Sequence, residues 1–323
     1  MKDKKVKKKK RIHPFIKGFL GCIIVVLVLA GGASLAVGGM LHGKLNFHEV
    51  ESAKKEPFKE DGVKNILLIG NDSRTEDESG RSDAMILVSI SSKTKSIHMT
   101  SLLRDIYVEI PEHDGNRLNA AYAYGGPELL METIEENFDI EVNRYMLVNF
   151  QAFANLVDAV GGVELEVTNE EVQLINGYLV EYNQLEGRAE GTDYLDTSLS
   201  GELHLNGPQA LAYCRNRYIG SDFARTQRQR NVISAAMKKA PLALVTNGGE
   251  LVDGLMSNVT TNLTQTELSG LMLQAPAMLT YDMVQGSIPL EGTYSNAKIR
   301  GMAVLEVDFE ANKDYIQTEI YGK

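Results

Sequence analysis

Short hydrophobic runs alternate with amphipathic segments along most of the chain, as in proteins whose strands and helices follow one another. The apolar runs predict strands over residues 63–70, 84–91, 96–103, 145–150, 163–167 and 281–288. Apolar positions at helical spacing predict helices over residues 126–138, 151–160, 208–213, 223–239, 240–256, 265–279 and 308–321. This alternation indicates an α/β fold, and we predict a three-layer α/β/α sandwich with a mixed central sheet.

One segment lacks a regular period. Residues 176–206 combine many polar positions with Gly177, Gly187, Gly191 and Gly201. A segment of this length without periodicity is predicted to be a long loop or a lid.

The longest apolar run, residues 18–41, contains 24 uncharged positions. About 20 apolar residues suffice to cross a bilayer as a helix. We therefore predict one N-terminal transmembrane helix that anchors the chain in the lipid bilayer. A cleaved signal peptide is the alternative, although its apolar region usually spans only about 7–15 residues.

Charge is distributed very unevenly around this run. Residues 1–17 carry nine Lys or Arg and one Asp, which gives them a net charge of +8. Because the whole chain has a net charge of −10, residues 18–323 have a net charge of −18. The positive-inside rule keeps the basic tail, residues 1–17, in the cytoplasm and exports the rest. Residues 42–61 are predicted to be an extracellular stalk and residues 62–323 one large extracellular domain. Because this body is acidic, nucleic acid is not expected as a partner.

Within the acidic body, residues 211–230 form a local cationic cluster. The cluster contains five arginines: Arg215, Arg217, Arg225, Arg228 and Arg230. Arginine is forked and permanently charged, so it matches phosphate oxygens two at a time. The cluster predicts a site for a compact, multiply charged anion, whereas a basic helix face paired with the chain's own acids is the alternative.

Spacing suggests which of these side chains converge. Arg225, Arg228 and Gln229 lie at i, i+3 and i+4, on one face of a helix, whereas Arg230 is expected to point to solvent. Arg215 and Arg217 can join them only if the preceding helix ends by about Cys214.

Two polar loops follow predicted strands. Asp72 and Asp83 flank the first loop, and two carboxylates beside arginines suit a divalent cation that bridges to phosphate. The alternative is a solvated loop with weak Asp–Arg pairs. Arg104 follows the third strand, where it either faces a ligand at the sheet edge or forms an ion pair.

Taken in order, these segments resemble the LytR–CpsA–Psr family of cell-envelope phosphotransferases. The matching segments lie at residues 65–70 with Asp72 and Arg74, 81–83, 103–105, 119–122, 157–163, 207–213, 215–217 and 222–229. Any one of them is a weak signal, but the ordered set is highly specific. The match covers about residues 63–240.

The resemblance implies transfer of an anionic glycopolymer from a polyprenyl-pyrophosphate carrier to peptidoglycan, outside the membrane of a Gram-positive bacterium. It also implies a hydrophobic tunnel for the lipid. It places Asp72 and Asp83 at a metal ion, Mg²⁺ or Mn²⁺. It places around the pyrophosphate the side chains of Arg74, Arg81, Arg104, Arg215, Arg217, Asp222, Arg225 and Gln229, and the shared helix face adds Arg228.

The expected chemistry is phosphoryl transfer with the lipid phosphate as leaving group. Arg81 and Arg104 are the predicted charge-stabilising catalytic residues, and Asp83 or Asp72 would orient or deprotonate the attacking hydroxyl. Arg117 stands where many family members have lysine, which suggests a phosphate contact. A polyprenyl-pyrophosphate hydrolase and a non-catalytic envelope module that binds lipid remain as alternatives.

Overall fold

A computed structural model describes residues 43, 45–51, 62–71, 82–216, 218–232, 235–236, 239, 259–278 and 280–323. The predicted anchor at residues 18–41 and the predicted helix at residues 240–256 lie outside this part of the chain. No helix within it is both long enough and apolar enough to cross a membrane.

The strands are β1 (Asn46–Phe47), β2 (Val63–Asn71), β3 (Ser82–Ser91), β4 (Ser96–Leu102), β5 (Tyr107–Val108), β6 (Asn116–Arg117), β7 (Tyr145–Asn149), β8 (Val163–Val167), β9 (Gly201–Leu205), β10 (Val259–Thr261), β11 (Asp282–Ile288), β12 (Tyr294–Ile299) and β13 (Met302–Val307). The helices are α1 (Leu118–Phe138), α2 (Phe150–Ala159), α3 (Asn169–Leu185), α4 (Gly207–Arg215), α5 (residues 222–232), α6 (Gln265–Met278) and α7 (Phe309–Tyr315), the last continued by a π-helical turn, Ile316–Ile320.

Seven strands build the central sheet in the order β1, β10, β7, β2, β3, β4, β11. The pairs β1–β10, β2–β7 and β4–β11 are parallel, and the pairs β10–β7, β2–β3 and β3–β4 are antiparallel. The predicted α/β class and the mixed central sheet are therefore confirmed.

The register brings several strand ends together. Asn71 is opposite both Ser82 and Asn149, and Ile288 is opposite Leu102. Strands β2, β4, β7 and β11 thus end at the same end of the sheet, where β3 begins. We call this the site end of the sheet.

Alternation along β2 and β3 sends side chains to two apolar layers. Leu67 and Leu87 pack in one cluster with Ile134 of α1, and Ile66 and Val88 pack in another with α6. A third cluster joins α2, α3, α4 and the β8–β9 ribbon to Val232. Helices thus cover both faces of the sheet, and the third cluster is a separate apolar core of its own.

The prediction of a loop over residues 176–206 is wrong for its first ten residues, which belong to α3. A capping box starts this helix: the Thr168 side chain accepts from the Glu171 N–H, and the Glu171 carboxylate accepts from the Thr168 N–H. Val172, Ile175 and Leu179 then bury one face. The cap and the buried face together outweigh the low helix propensity of Gly177. At the other end of the segment, residues 201–205 form β9.

Three other elements differ from the prediction. Residues 46–47, within the predicted stalk, pair with Thr260 and Thr261 at the sheet edge. Helix α1 begins at Leu118, before the predicted start, and is broken at Gly125 and Gly126, where Gly126 has φ +65°. The β12–β13 hairpin is not among the predicted elements.

Candidate functional site

Arg104 and Arg225 meet at one carboxylate, Asp222. The Nη2 atom of Arg225 lies 2.8 Å from Asp222 Oδ1, and the Nε atom of Arg104 lies 3.7 Å from the same oxygen. Arg225 has only 3% of its side chain exposed. Arg104 follows β4 at the site end of the sheet, and Asp222 and Arg225 begin α5. These two segments, more than a hundred residues apart, form the central charge cluster of the site.

A second carboxylate extends this cluster. Asp105 lies 3.7 Å from Arg104 Nε through Oδ2 and 3.5 Å from Arg117 Nη1 through Oδ1. Arg117 also donates from Nε and Nη2 to the carbonyl of Ala303, at 3.0 and 2.7 Å. Whereas the sequence suggested a phosphate contact for Arg117, its guanidinium here connects β6 to the β12–β13 hairpin.

The hairpin also supports the Arg104 segment directly. The Leu305 N–H donates to the carbonyl of Asp105 at 2.8 Å, and Ile106 forms an isolated β-bridge with Leu305. Leu103 donates to the carbonyl of Ile288 on β11 at 2.9 Å. Residues from the carboxyl-terminal third therefore hold the loop that carries Arg104.

Arg215 ends α4, which satisfies the condition for its use at the site. Its guanidinium lies over the rings of Phe150, at 4.7 Å, and Tyr178, at 5.4 Å. The Tyr178 hydroxyl donates to the Arg215 carbonyl at 2.9 Å, and Glu181 lies 3.9 Å from Nη2. Two aromatic rings and one carboxylate therefore orient this arginine.

Arg228 was expected on the anion, but its donors are directed to protein acceptors. Its Nε donates to Glu171 Oε1 at 2.7 Å, while Nη1 and Nη2 donate to the carbonyls of Asn216 and Ile219. The side chain is buried. The structure thus corrects this assignment: Arg228 holds the turn after α4. Gln229, the next residue of α5, is half-buried.

Arg230 was expected in solvent, but it is half-buried instead. Its Nη1 donates to Ser101 Oγ at 3.4 Å, and its Nη2 donates to Gln227 Oε1 at 2.8 Å. Burial lowers the pKa of Arg230 from its usual value. The side chain lies against Ser101, near the end of β4 and three residues before Arg104.

Several predicted site residues lie outside the described part of the chain. They are Asp72, Arg74, Arg81 and Arg217, and of Asp83 only the backbone position in β3 is described. Their roles as catalytic, pyrophosphate-binding and metal-binding residues stay predictions. Among the residues that the structure describes, no group of three or more His, Cys, Asp or Glu side chains is placed to hold a metal ion.

The pairing of β2 with β3 nevertheless shows where the loop that joins these two strands begins and ends. Asn71 and Ser82 are register partners, so Asp72 and Asp83 follow neighbouring backbone positions at the site end. Phe150, beneath Arg215, follows β7, and Arg104 follows β4. Those strands are three steps apart in the sheet, roughly 14 Å at the usual strand spacing. The β2–β3 loop therefore starts between Arg215 on one side and the Arg104–Asp222–Arg225 cluster on the other.

Cys214 is adjacent to Arg215 in the sequence, but its side chain is part of the apolar core and not of the charged site. It is buried in the third apolar cluster, and burial raises the pKa of its thiol. The thiol is therefore neutral and packs as an apolar side chain.

The sequence model of the LytR_cpsA_psr family matches residues 40–319. The chain belongs to this family. A LytR_cpsA_psr relative from Oceanobacillus iheyensis, named polyisoprenyl-teichoic acid–peptidoglycan teichoic acid transferase TagU, is 37% identical over 290 residues, which cover 84% of this chain and 83% of TagU.

Solved structures agree with this assignment. TagT bound to LI-WTA superimposes with a TM-score of 0.63 and 28% identity, covering 85% of this chain and 99% of TagT. A second TagT structure, with bound octaprenyl pyrophosphate lipid, has a TM-score of 0.59 and 26% identity over the same shares.

Of the predicted site residues, the structure brings Arg104, Asp222 and Arg225 together and orients Arg215 against two aromatic rings. Three partners were not predicted: Phe150 and Tyr178 for Arg215, and Glu171 for Arg228. Each of these contacts joins segments that are far apart in the sequence, so no local pattern could have indicated them.

Proposed function

We propose that this LytR_cpsA_psr protein transfers an anionic glycopolymer of the teichoic-acid type from a polyisoprenyl-pyrophosphate carrier to peptidoglycan. The name of TagU and the lipid bound to TagT support both the reaction and the donor class. The observation that carries the proposal is the convergence of Arg104 and Arg225 on Asp222 at the site end of the sheet. Such a cluster suits a diphosphate that bears several negative charges.

In the proposed complex, Arg104 and Arg225 contact the diphosphate from one side of the β2–β3 loop, and Arg215 contacts it from the other. Arg74, Arg81, Arg217 and Gln229 complete the set. Asp222 keeps two arginines close together before the substrate arrives. Preorganised charge of this kind stabilises the transition state without reorganisation during the reaction.

The reaction breaks one phosphoanhydride bond and forms one phosphodiester bond. An acceptor hydroxyl oxygen attacks the phosphorus attached to the saccharide, and the bridging oxygen leaves with the lipid phosphate. The hydroxyl proton passes to Asp83 or Asp72 and then to solvent. The products are a glycopolymer–peptidoglycan phosphodiester and polyisoprenyl phosphate, and no nucleotide or water is consumed.

The two aspartates would also hold a divalent cation, Mg²⁺ or Mn²⁺. Asn71 and Ser82 are register partners, and Asp72 and Asp83 are the residues that follow them in the chain. This proximity in the backbone is compatible with a shared ion. Hard divalent cations prefer carboxylate and phosphate oxygens. When bound, the ion would neutralise charge on the diphosphate and the leaving phosphate.

Membrane attachment follows from the apolar run. We propose that residues 18–41 span the cell membrane once, with residues 1–17 in the cytoplasm and the catalytic domain outside. This arrangement would bring the site to a carrier lipid whose tail stays in the bilayer.

The test is a transfer assay with full-length protein in detergent, a defined polyisoprenyl-pyrophosphate saccharide and purified peptidoglycan. We expect polymer-linked glycan and polyisoprenyl phosphate in equal amounts, and little lipid phosphate when peptidoglycan is omitted. Arg104→Ala and Arg225→Ala should each slow transfer about 100-fold. Arg300→Ala, which removes an exposed arginine paired with Asp114, is the matched control.

The same assay separates the alternatives. Equal release of polyisoprenyl phosphate with and without peptidoglycan would identify a hydrolase. Donor binding without either product would identify a non-catalytic lipid-binding module. Normal transfer by Arg104→Ala and Arg225→Ala would contradict the assigned site.

A further inference from the structure

The turn between α4 and α5 is held by a buried asparagine. Asn216 has only 1% of its surface exposed. Its Oδ1 atom accepts hydrogen bonds from the backbone N–H groups of Tyr218 and Ile219, at 3.0 and 3.2 Å. One buried side chain therefore fixes two consecutive peptide groups of the turn.

The carbonyl groups of the same turn are held from the other side. Arg228 donates to the carbonyls of Asn216 and Ile219, at 3.3 and 2.7 Å, and is itself oriented by Glu171. Gly220 closes the turn at φ +80°, where a Cβ atom would come within 2.8 Å of the Ala224 side chain. The backbone of the turn is thus constrained at both its donors and its acceptors.

At the tip of this turn, Tyr218 is 80% exposed. It directly follows Arg217 and lies three residues after Arg215, so its Cα is within about 11 Å of the Arg215 Cα. Tyrosine offers a broad apolar ring face with few rotatable bonds, and on a rigid backbone little entropy is lost when a ligand covers it. The turn therefore presents a preorganised aromatic surface next to the proposed diphosphate site.

The surrounding charge indicates what kind of ligand would use this surface. Residues 169–200, which include the whole of α3, carry seven carboxylates and one arginine. Glu171 pairs with Arg228 and Asp193 pairs with Arg188, so five carboxylates remain to give this segment its negative charge. Glu181, from this segment, lies 3.9 Å from Arg215. A polymer with many phosphates would be repelled along this side, whereas a glycan with little charge would not.

We propose that Tyr218 is a stacking platform for the acceptor, a hexopyranose unit of the peptidoglycan glycan strand. The inference rests on the proposed function and extends it to acceptor selection. The ring face of Tyr218 packs against the C–H face of the sugar and brings the acceptor hydroxyl towards the diphosphate. Asn216, Glu171 and Arg228 are positioning residues for this platform.

The kinetic test uses Tyr218→Ala and Tyr218→Phe in the full-length protein, with donor and acceptor concentrations varied separately. Tyr218→Ala should raise the KM for peptidoglycan glycan about tenfold. The KM for the donor and kcat should stay within about twofold, and Tyr218→Phe should restore the acceptor KM because the ring face remains. Leu273→Ala, which removes another highly exposed apolar side chain, is the control and should change nothing.

A binding test is independent of transfer. A β-1,4-linked N-acetylhexosamine tetramer, titrated into full-length protein by saturation-transfer NMR, should bind the wild-type and Tyr218→Phe proteins and bind Tyr218→Ala about tenfold more weakly. An altered donor KM with unchanged acceptor KM would assign Tyr218 to the donor saccharide and overturn the proposal. Equal binding of the tetramer to wild type and Tyr218→Ala would also overturn it. If no variant and no wild type transferred polymer, the titration would still decide the role of Tyr218.

Discussion

Arg104 and Arg225 share a single oxygen, Oδ1 of Asp222, at 3.7 and 2.8 Å. Two like charges this close repel each other unless an anion lies between them. Asp222 therefore stabilises the folded arrangement and also sets the spacing of the two guanidinium groups that we assign to the diphosphate.

Replacing this carboxylate should affect both properties. Asp222→Asn keeps the shape of the side chain but removes its charge, so the arginines should separate. We expect transfer to fall about 100-fold and the free energy of unfolding to fall by about 2 kcal/mol. Transfer kinetics and urea denaturation measure the two effects, with the exposed Asp196→Asn as control. Wild-type transfer rates in Asp222→Asn would exclude this positioning role.

A substitution at Arg117 can distinguish two roles for this side chain: support of the β12–β13 hairpin and contact with phosphate. Lysine can replace arginine at a phosphate, but it cannot make the two-donor contact with the Ala303 carbonyl and still reach Asp105. We expect Arg117→Lys to lower kcat about threefold to tenfold and to speed amide hydrogen exchange in residues 302–307, because the hairpin is loosened. Unchanged exchange and full activity in Arg117→Lys would instead favour the phosphate contact.

The ion pair between Arg228 and Glu171 is buried, so breaking it leaves an uncompensated charge. Glu171→Gln should lower the free energy of unfolding by about 3 kcal/mol. The amides of Tyr218 and Ile219 should also exchange faster, since Arg228 no longer holds the turn. Urea denaturation and hydrogen exchange provide the measurements, and exposed Glu170→Gln is the neighbouring control. A stability equal to that of Glu170→Gln would show that the pair contributes nothing.

The ring of Phe150 should matter through Arg215. Phe150→Leu removes the aromatic face 4.7 Å from the guanidinium while keeping an apolar side chain. A cation–π contact is worth about 0.5–2 kcal/mol, so donor affinity should fall about twofold to thirtyfold. Phe153→Leu, on the same helix but in the third apolar cluster, should leave donor affinity unchanged. Equal affinities for the two variants would refute the orienting role of Phe150.

The proposed metal site at Asp72 and Asp83 predicts that transfer depends on a divalent cation. Chelation with EDTA should abolish transfer, and added Mg²⁺ or Mn²⁺ should restore it, because two carboxylates and a diphosphate attract a divalent ion strongly. Asp83→Asn should not recover at any practical metal concentration. Full transfer in EDTA would show that the aspartates act without a metal.

Much of the fold could be predicted from local pattern. Strands β2, β3, β4, β7, β8 and β11 and helices α2, α4 and α6 follow apolar runs or helical spacing, because burial of one face imposes a period on the sequence. Helix α3 was missed, since its glycine and polar residues obscure a signal that lies in the Thr168–Glu171 cap. The β12–β13 hairpin has only a weak alternation of its own.

The sequence by itself determined the family, the class of fold and the cluster of arginines, because periodicity, charge and motif order are properties of neighbouring residues. Only the tertiary structure decided which partner each charged side chain meets. Arg228 meets Glu171 across 57 positions, and Arg117 meets Ala303 across 186. A guanidinium binds the acceptor that folding brings within about 3 Å, and helical spacing alone carries no information about that acceptor. For that reason Arg228, which helical spacing placed on the anion, contacts Glu171, and Arg230, which it placed in solvent, contacts Ser101 and Gln227. The contact of Arg228 agrees with the alternative in which the basic helix face pairs with the chain's own acids.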